Sequence, residues 1–210
     1  MAIFDLSHPL NNNMPVYPGD PEISLNTPFT LEADGFNLTT MKSGMHTGTH
    51  LDLPRHATAD PKTLQDYPVA FFMGQACCLD LNPDAKCLAL PEPSKLSALP
   101  KTRILLLHTG WSAHFNHPGY FEQSPWLSEA LVRFIVNRGI EMLGMDFPSP
   151  DPPGTLDNHR HLAAAGMVLV ENLTGLASLK GCRRFFFSAL PLNLPAEASL
   201  VRAVAMTDDH

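Results

Sequence analysis

Residues 46–56 (HTGTHLDLPRH) place three histidines and one aspartate within eleven positions. Imidazole together with carboxylate is a ligand set for a divalent transition ion, and it suits Zn²⁺ or Mn²⁺ better than Ca²⁺. The helical zinc motif does not fit here, because Gly48 and Pro54 would damage a helix. On an extended segment, positions 46, 48, 50 and 52 share one face. His50 and Asp52 then stand roughly 7 Å apart at about 3.3 Å per residue, within reach of an ion held about 2.0–2.2 Å from each ligand atom. His46 lies too far along a straight strand, so its participation requires a kink near Gly48. Pro54 turns the chain away from the ligand face. That leaves His56 outside the ligand set, positioned as a proton shuttle.

A second group of candidates lies downstream. Glu171 closes the aliphatic run MVLV, and in open α/β sheets ligands collect at the carboxyl ends of strands. A carboxylate there either meets solvent at the sheet edge or points into the site. His159 and His161 both sit in the segment before that run, and spacing does not separate them. Asp146 ends another apolar run and reads as a group that fixes a loop. Tyr17, Phe36 and Trp111 are the aromatic residues that could line a pocket.

These residues need a framework, and the second half of the chain provides one in strand–helix–strand order. Short apolar runs at 103–107, 140–145 and 167–171 read as buried strands. Residues 128–138 carry apolar positions at helical spacing, with Ser128 as the cap and Gly139 as the stop; residues 157–165 form a second helix ending at Gly166. This alternation indicates a parallel or mixed sheet. Residues 70–81 read as a buried strand pair or one bent strand, and 182–190 and 200–205 as further strands. The first half is more extended and suggests added antiparallel strands. Residues 1–28, rich in Pro and Asn from position 8, read as an irregular N-terminal arm. No linker divides the 210 residues, so the expectation is a single α/β domain.

Composition narrows the class of function. Lys+Arg 14 against Asp+Glu 21 gives a net charge of −7, and no basic cluster is present to neutralise phosphates, which argues against a nucleic-acid partner. Twenty prolines favour a loop-rich architecture over long bundled helices. No apolar run is long enough to span a bilayer. The N-terminal residues show no basic segment followed by an apolar stretch, so a cytoplasmic location is expected. Cys77, Cys78, Cys87 and Cys182 are then expected to be reduced thiols without a catalytic part.

The run HTGTHLDLPRH resembles the HxGTHxDxPxH signature of the metal-dependent cyclase and kynurenine formamidase-like amide hydrolases. LLLHTGW (105–111), GMDFPSPD (144–151), HRHLAAAGMVLVENL (159–173) and VRAVAM (201–206) resemble the family in the same order, so the likeness extends over nearly the whole chain. It implies an α/β domain of the swivelling β/β/α type, with a mixed, partly barrel-like sheet flanked by helices and assembly into homodimers or homotetramers. It also implies metal ligands at His46, His50, Asp52, His159 and Glu171 around one or two ions, Zn²⁺ first and Mn²⁺ second. The HxxL spacing of the family places the downstream ligand at His159 rather than His161. The acid–base histidine falls on His56. Where formamidases of the family carry a tryptophan in the N-terminal arm, this chain has Tyr17, a substrate-binding candidate. It also has Thr49 in place of alanine, and EASL (197–200) in place of a DGSP-like segment.

The implied activity is hydrolysis of a small amide, such as an N-formyl aryl amide, by metal-activated water. His56 would protonate the departing nitrogen. Ring opening of a lactam or lactone, or a dehydration, would use the same apparatus. A metal-binding protein without turnover would need no histidine outside the ligand set.

Overall fold

The computed structural model describes residues 1–82 and 84–207. In chain order its strands are β1 (Ala2–Asp5), β2 (Ser24–Phe29), β3 (Leu38–Lys42), β4 (His50–Asp52), β5 (Met73–Asp80), β6 (Cys87–Leu88) and β7 (Ile104–His108). There follow β8 (Trp126–Leu127), β9 (Met142–Met145), β10 (Val168–Glu171), β11 (Phe185–Ser188), β12 (Ala198–Leu200) and β13 (Val204–Thr207). Nine of them form one sheet in the order β1-β13-β11-β5-β7-β9-β10-β4-β12. Its centre, β5-β7-β9-β10, is parallel, and every flanking pair is antiparallel. The mixed α/β sheet expected from the alternating elements is the observed one.

Alternation along the parallel strands sends side chains to two different cores. Leu105, Leu107, Leu143 and Leu169 face the helices, where α3 (Glu129–Asn137) packs Leu131, Val132 and Ile135, and α4 (Asp157–Ala164) packs Leu162. The earlier helices, α1 (Leu31–Asp34) and α2 (Pro93–Ala98), are short. Ser128 caps α3 by accepting from the Leu131 amide at 3.3 Å, and Gly139 ends it at φ +72°.

On the opposite face, Ile104, Leu106, Val168 and Val170 share one cluster with Leu51 from β4 and with Phe185, Phe187 and Ala205 from β11 and β13. The two flanks of the sheet touch the same core because the sheet curls toward half a barrel. No helix is needed on that side.

Two expectations need correction, and one alternative left open is decided. The N-terminal arm is not irregular throughout: β1 pairs with β13 at the sheet edge, and β2 begins at Ser24 and forms a ribbon with β3. Residues 200–205 are not one strand, since β12 ends at Leu200 and β13 starts at Val204. Pairing β12 with β4 on one flank and β13 with β1 and β11 on the other forces that break. Residues 70–81 settle as a single strand, β5, preceded by a 3₁₀ turn at Val69–Phe72.

Candidate active site

β4 carries the centre of the site because of its register. It lies between β10 and β12, with His50 opposite Glu171 and Asp52 opposite Leu169. Leu51 and Val170 point into the half-barrel core, so His50, Asp52 and Glu171 stand together on the helix-covered face. α4 crosses that face and delivers His159. The four residues are buried, none more than 5% exposed.

The kink expected before β4 is present at Gly48, whose φ is +59°. It swings His46 back, bringing its Nδ1 to 2.9 Å from Asp52 Oδ1. A Cβ at position 48 would lie 2.8 Å from the Met14 Cε, so the space beside Gly48 is filled by protein rather than by a ligand. Asn172 ties the bend down, although its own φ of +57° is rare for a residue other than glycine. Its Nδ2 donates to the Gly48 carbonyl at 3.1 Å, its Oδ1 accepts from Tyr120 at 2.8 Å, and its carbonyl accepts from Thr49 Oγ1 at 2.6 Å. Gly48→Ala should therefore lower the melting temperature by about 2–8 °C, from about 1–2 kcal/mol of left-handed strain at about 2–4 °C per kcal/mol for a chain of this size. Scanning calorimetry of the two proteins measures it.

Three histidines are each held from behind by an oxygen outside the cluster. His50 Nδ1 is 2.8 Å from the Gly48 carbonyl, His159 Nδ1 is 2.6 Å from Asp151 Oδ2, and His46 Nε2 is 3.3 Å from Glu197 Oε1. Each leaves its other ring nitrogen facing inward, the arrangement that fixes tautomer and ring plane in metal-ligating histidines. Inside the ring of ligands, His50 Nε2 is 3.4 Å from Glu171 Oε2, and His159 Nε2 is 3.2 Å from Glu171 Oε1. Yet His50 Nε2, Asp52 Oδ1, His159 Nε2 and Glu171 Oε1 are all buried without an aligned hydrogen bond. Four orphaned polar atoms in one place cost several kcal/mol unless something joins them. A divalent cation does, and nitrogen and oxygen donors suit a transition ion.

Charge agrees with geometry. Burial favours the neutral acids, but His50 and His46 hold Asp52 well below the usual carboxylate range, and His159 and His50 lower Glu171. Burial likewise works against protonation of the histidines. Asp52 nonetheless raises His50 and His46, and Asp151 with Glu171 lifts His159 to about 10. The two carboxylates thus demand positive charge in a buried place, which a cation supplies without protonating its own ligands. Asp151→Asn keeps the shape but weakens the grip on His159. It should lower metal affinity about 10–100-fold, read by competition with a chromogenic chelator.

His56 sits on a 3₁₀ turn (Pro54–His56) immediately after β4, its ring centroid 4.3 Å from His46 and 5.5 Å from His159. One of its ring nitrogens, like one of His46, lies within 4.8 Å of an Asp52 oxygen. Burial, only partly offset by Asp52, holds it below the ordinary histidine value, so it is a neutral proton acceptor near pH 7.

A cavity of about 350 Å³ opens onto the inward-facing groups and is lined further by Tyr17, Phe121, Pro148 and Leu156. Tyr17 stands at its edge, its hydroxyl 3.4 Å from the Gly154 amide. The other aromatic candidates do not line it. Phe36 is exposed beside the β2–β3 ribbon and stacks on Phe29, while Trp111 packs on Tyr120. Phe121 takes the wall instead. His161 is exposed on the outer side of α4. Asp146 accepts from the amides of Thr109 and Gly110 and from Thr109 Oγ1, so it fixes the loop after β7. Asp151, Asn172 and Glu197 were not singled out by sequence reasoning; the only signal for Asp151 was its place within GMDFPSPD.

A curled mixed sheet here carries a buried histidine–carboxylate cluster at its strand ends, a donor set able to hold a divalent ion. The chain belongs to the Cyclase family, whose model matches residues 4–152. It is 33% identical over 204 residues to a kynurenine formamidase of Bacillus cereus, covering 95% of each chain, and 29% identical over 203 residues to one of Geobacillus thermodenitrificans, covering 95% and 94%. In fold it is similar to isatin hydrolase A from Labrenzia aggregata bound to benzyl benzoate, with a TM-score of 0.84 at 21% identity, covering 99% of this chain and 94% of that one. A potential metal-dependent hydrolase with cyclase activity superposes with a TM-score of 0.77 at 22% identity, covering 100% and 99%.

Proposed function

We propose that this protein hydrolyses the carbon–nitrogen bond of a small aryl amide, an N-formyl aryl amide first among them, with a divalent transition ion as cofactor. The observation that carries this reading is the set of four buried donor atoms that face one cavity without an aligned hydrogen bond. His46, His50, Asp52, His159 and Glu171 would hold the ion or ions; imidazole and carboxylate donors favour Zn²⁺, then Mn²⁺. Such an ion lowers the pKa of water toward neutrality and polarises a carbonyl. His56, neutral and outside the rearward hydrogen bonds, takes the proton from the attacking water and returns it to the departing nitrogen. Tyr17, Phe121 and Leu156 pack against the aryl group and exclude bulk water. A non-catalytic metal protein is disfavoured by the open cavity and by this spare imidazole. The amide hydrolases among the relatives support the reaction class. The deciding experiment is turnover of N-formylkynurenine, formanilide and isatin after loading with Zn²⁺ or Mn²⁺. Absence of metal-dependent turnover of all three would remove amide hydrolysis as the function.

We propose further that the chain acts as a homodimer or homotetramer in the cytoplasm. Supporting the first part, Phe29, Leu31, Phe36, Leu38 and Met41 are all exposed on or beside the β2–β3 ribbon, an apolar surface that a second copy can cover. Supporting the second, Cys77, Cys78 and Cys87 form no disulfide, and no helix among the described residues is long and apolar enough to cross a membrane. Phe29→Ser/Phe36→Ser should shift the mass seen by light scattering toward the monomer.

A further inference from the structure

We propose that Asn172, backed by Tyr120, is the positioning residue for the His50 ring: it holds the Gly48 carbonyl where it receives the His50 Nδ1 proton, and so aims Nε2 at the ion site. The inference rests on the metal-holding part of the proposed function and deepens it.

The Gly48 carbonyl is the meeting point. It lies 2.8 Å from His50 Nδ1 and 3.1 Å from Asn172 Nδ2. A carbonyl oxygen has two lone pairs and can only accept, so both nitrogens present a proton to it. With Nδ1 occupied in this way, Nε2 is the His50 atom left for an ion. The same requirement fixes the orientation of the Asn172 amide, whose Oδ1 accepts from the Tyr120 hydroxyl at 2.8 Å. Donation by Tyr120 polarises that amide and strengthens its N–H as a donor to Gly48. Tyr120 is itself held in place, because Trp111 Nε1 donates to its carbonyl at 3.2 Å and its ring meets Phe115 edge-on at 5.2 Å.

Position 172 has a reason to be asparagine. Its backbone stands at φ +57°, a conformation that glycine, asparagine and aspartate adopt most readily. Of these three, only asparagine can accept from Tyr120 and donate to Gly48 at once. Asn172 is 3% exposed and Tyr120 2%, so loss of either hydrogen bond leaves a buried polar group unpaired. Asn172 also follows Glu171 directly, and Glu171 stands opposite His50 across the strands. One side chain therefore ties the turn that ends β10 to the bend that begins β4, and two ligands are set by it together.

Two variants isolate the side-chain groups. Asn172→Gly keeps the left-handed turn and deletes the amide, and Tyr120→Phe keeps the ring and deletes the hydroxyl. Zn²⁺ affinity, read by competition with a chromogenic chelator, should fall about 10–100-fold in Asn172→Gly and by a smaller factor in Tyr120→Phe. Because the two groups act in series, the double variant should bind within about twofold of Asn172→Gly. The second measurement is NMR of ¹⁵N-histidine-labelled protein with and without Zn²⁺. The His50 Nδ1 proton, identified by its absence in His50→Gln, should exchange with solvent at least about tenfold faster in Asn172→Gly. A lower melting temperature with unchanged zinc affinity and unchanged exchange would mean that Asn172 only supports the turn, and would overturn the inference. Losses that multiply in the double variant would overturn it as well. Should the parent bind no divalent ion, the metal reading fails, while exchange in the metal-free protein still decides what orients His50.

Discussion

Asp52→Ala protein, purified and loaded alongside the parent, should carry less than a tenth of the parent's metal by elemental analysis and show no amide turnover. Asp52 is the residue shared by both groupings of donor atoms, one with His46 and His56 and the other with His50 and Glu171. No neighbour can replace it, since the residue opposite it on β10 is Leu169 and the one opposite on β12 is Ala198. The same loss should appear without catalysis. At about 1,000 times its Kd an ion stabilises the parent by about 4 kcal/mol, or about 8–16 °C at about 2–4 °C per kcal/mol, and this thermal shift should vanish in the variant. A variant that kept full metal and full shift would displace Asp52 from the ligand set.

The second large effect is expected at His56. His56→Ala should lose about 10²–10⁴-fold in amide turnover, the usual range for one acid–base group and roughly 3–5 kcal/mol of barrier. It should keep its fold, because His56 is only half-buried and lines the cavity rather than either core cluster of the sheet. It should also keep the metal with which it is loaded, because His46, His50 and His159 have oxygen partners behind them and His56 has none among the described residues. The loss should shrink for an activated aryl ester, whose leaving group departs without a proton. Loss of metal in this variant would make His56 a ligand, and full amide turnover would end its role as shuttle.

The central ligand residues were legible because their signal is local. His50 and Asp52 share a face by strand alternation, and Gly48 announced the bend that returns His46. Glu171 and α3 were legible for a similar reason, one as the end of an aliphatic run and the other through Ser128, Gly139 and helical spacing. Asp151 and Glu197 were not. Each is a single acid in a proline-containing loop, and what makes it matter is a histidine brought against it by distant pairing. β1 escaped notice because four residues at a sheet edge, half of them exposed, carry too little periodicity to stand out. Which aromatic forms the cavity wall is not legible either: Trp111 and Phe121 are equally aromatic, and the stacking of Trp111 on Tyr120 leaves the wall to Phe121.

The position of β4 has a consequence for how the chain acquires its structure. Its hydrogen-bonding partners, β10 and β12, lie more than a hundred residues later in the sequence, and β1 waits still longer for β13. During synthesis the HTGTHLD segment therefore emerges with no strand to pair with, and its histidines cannot yet close on an ion in the native geometry. Such remote pairings incur loop-closure entropy before any contact repays it, so they form late and slowly. The central strands β5, β7, β9 and β10 can dock first, through connections of ordinary length. On that argument β4, with its partners β10 and β12 both far downstream, is expected to pair late. Because an ion bound there would join residues 46–52 to residues 159–171, its capture would hold that long-range pairing in place.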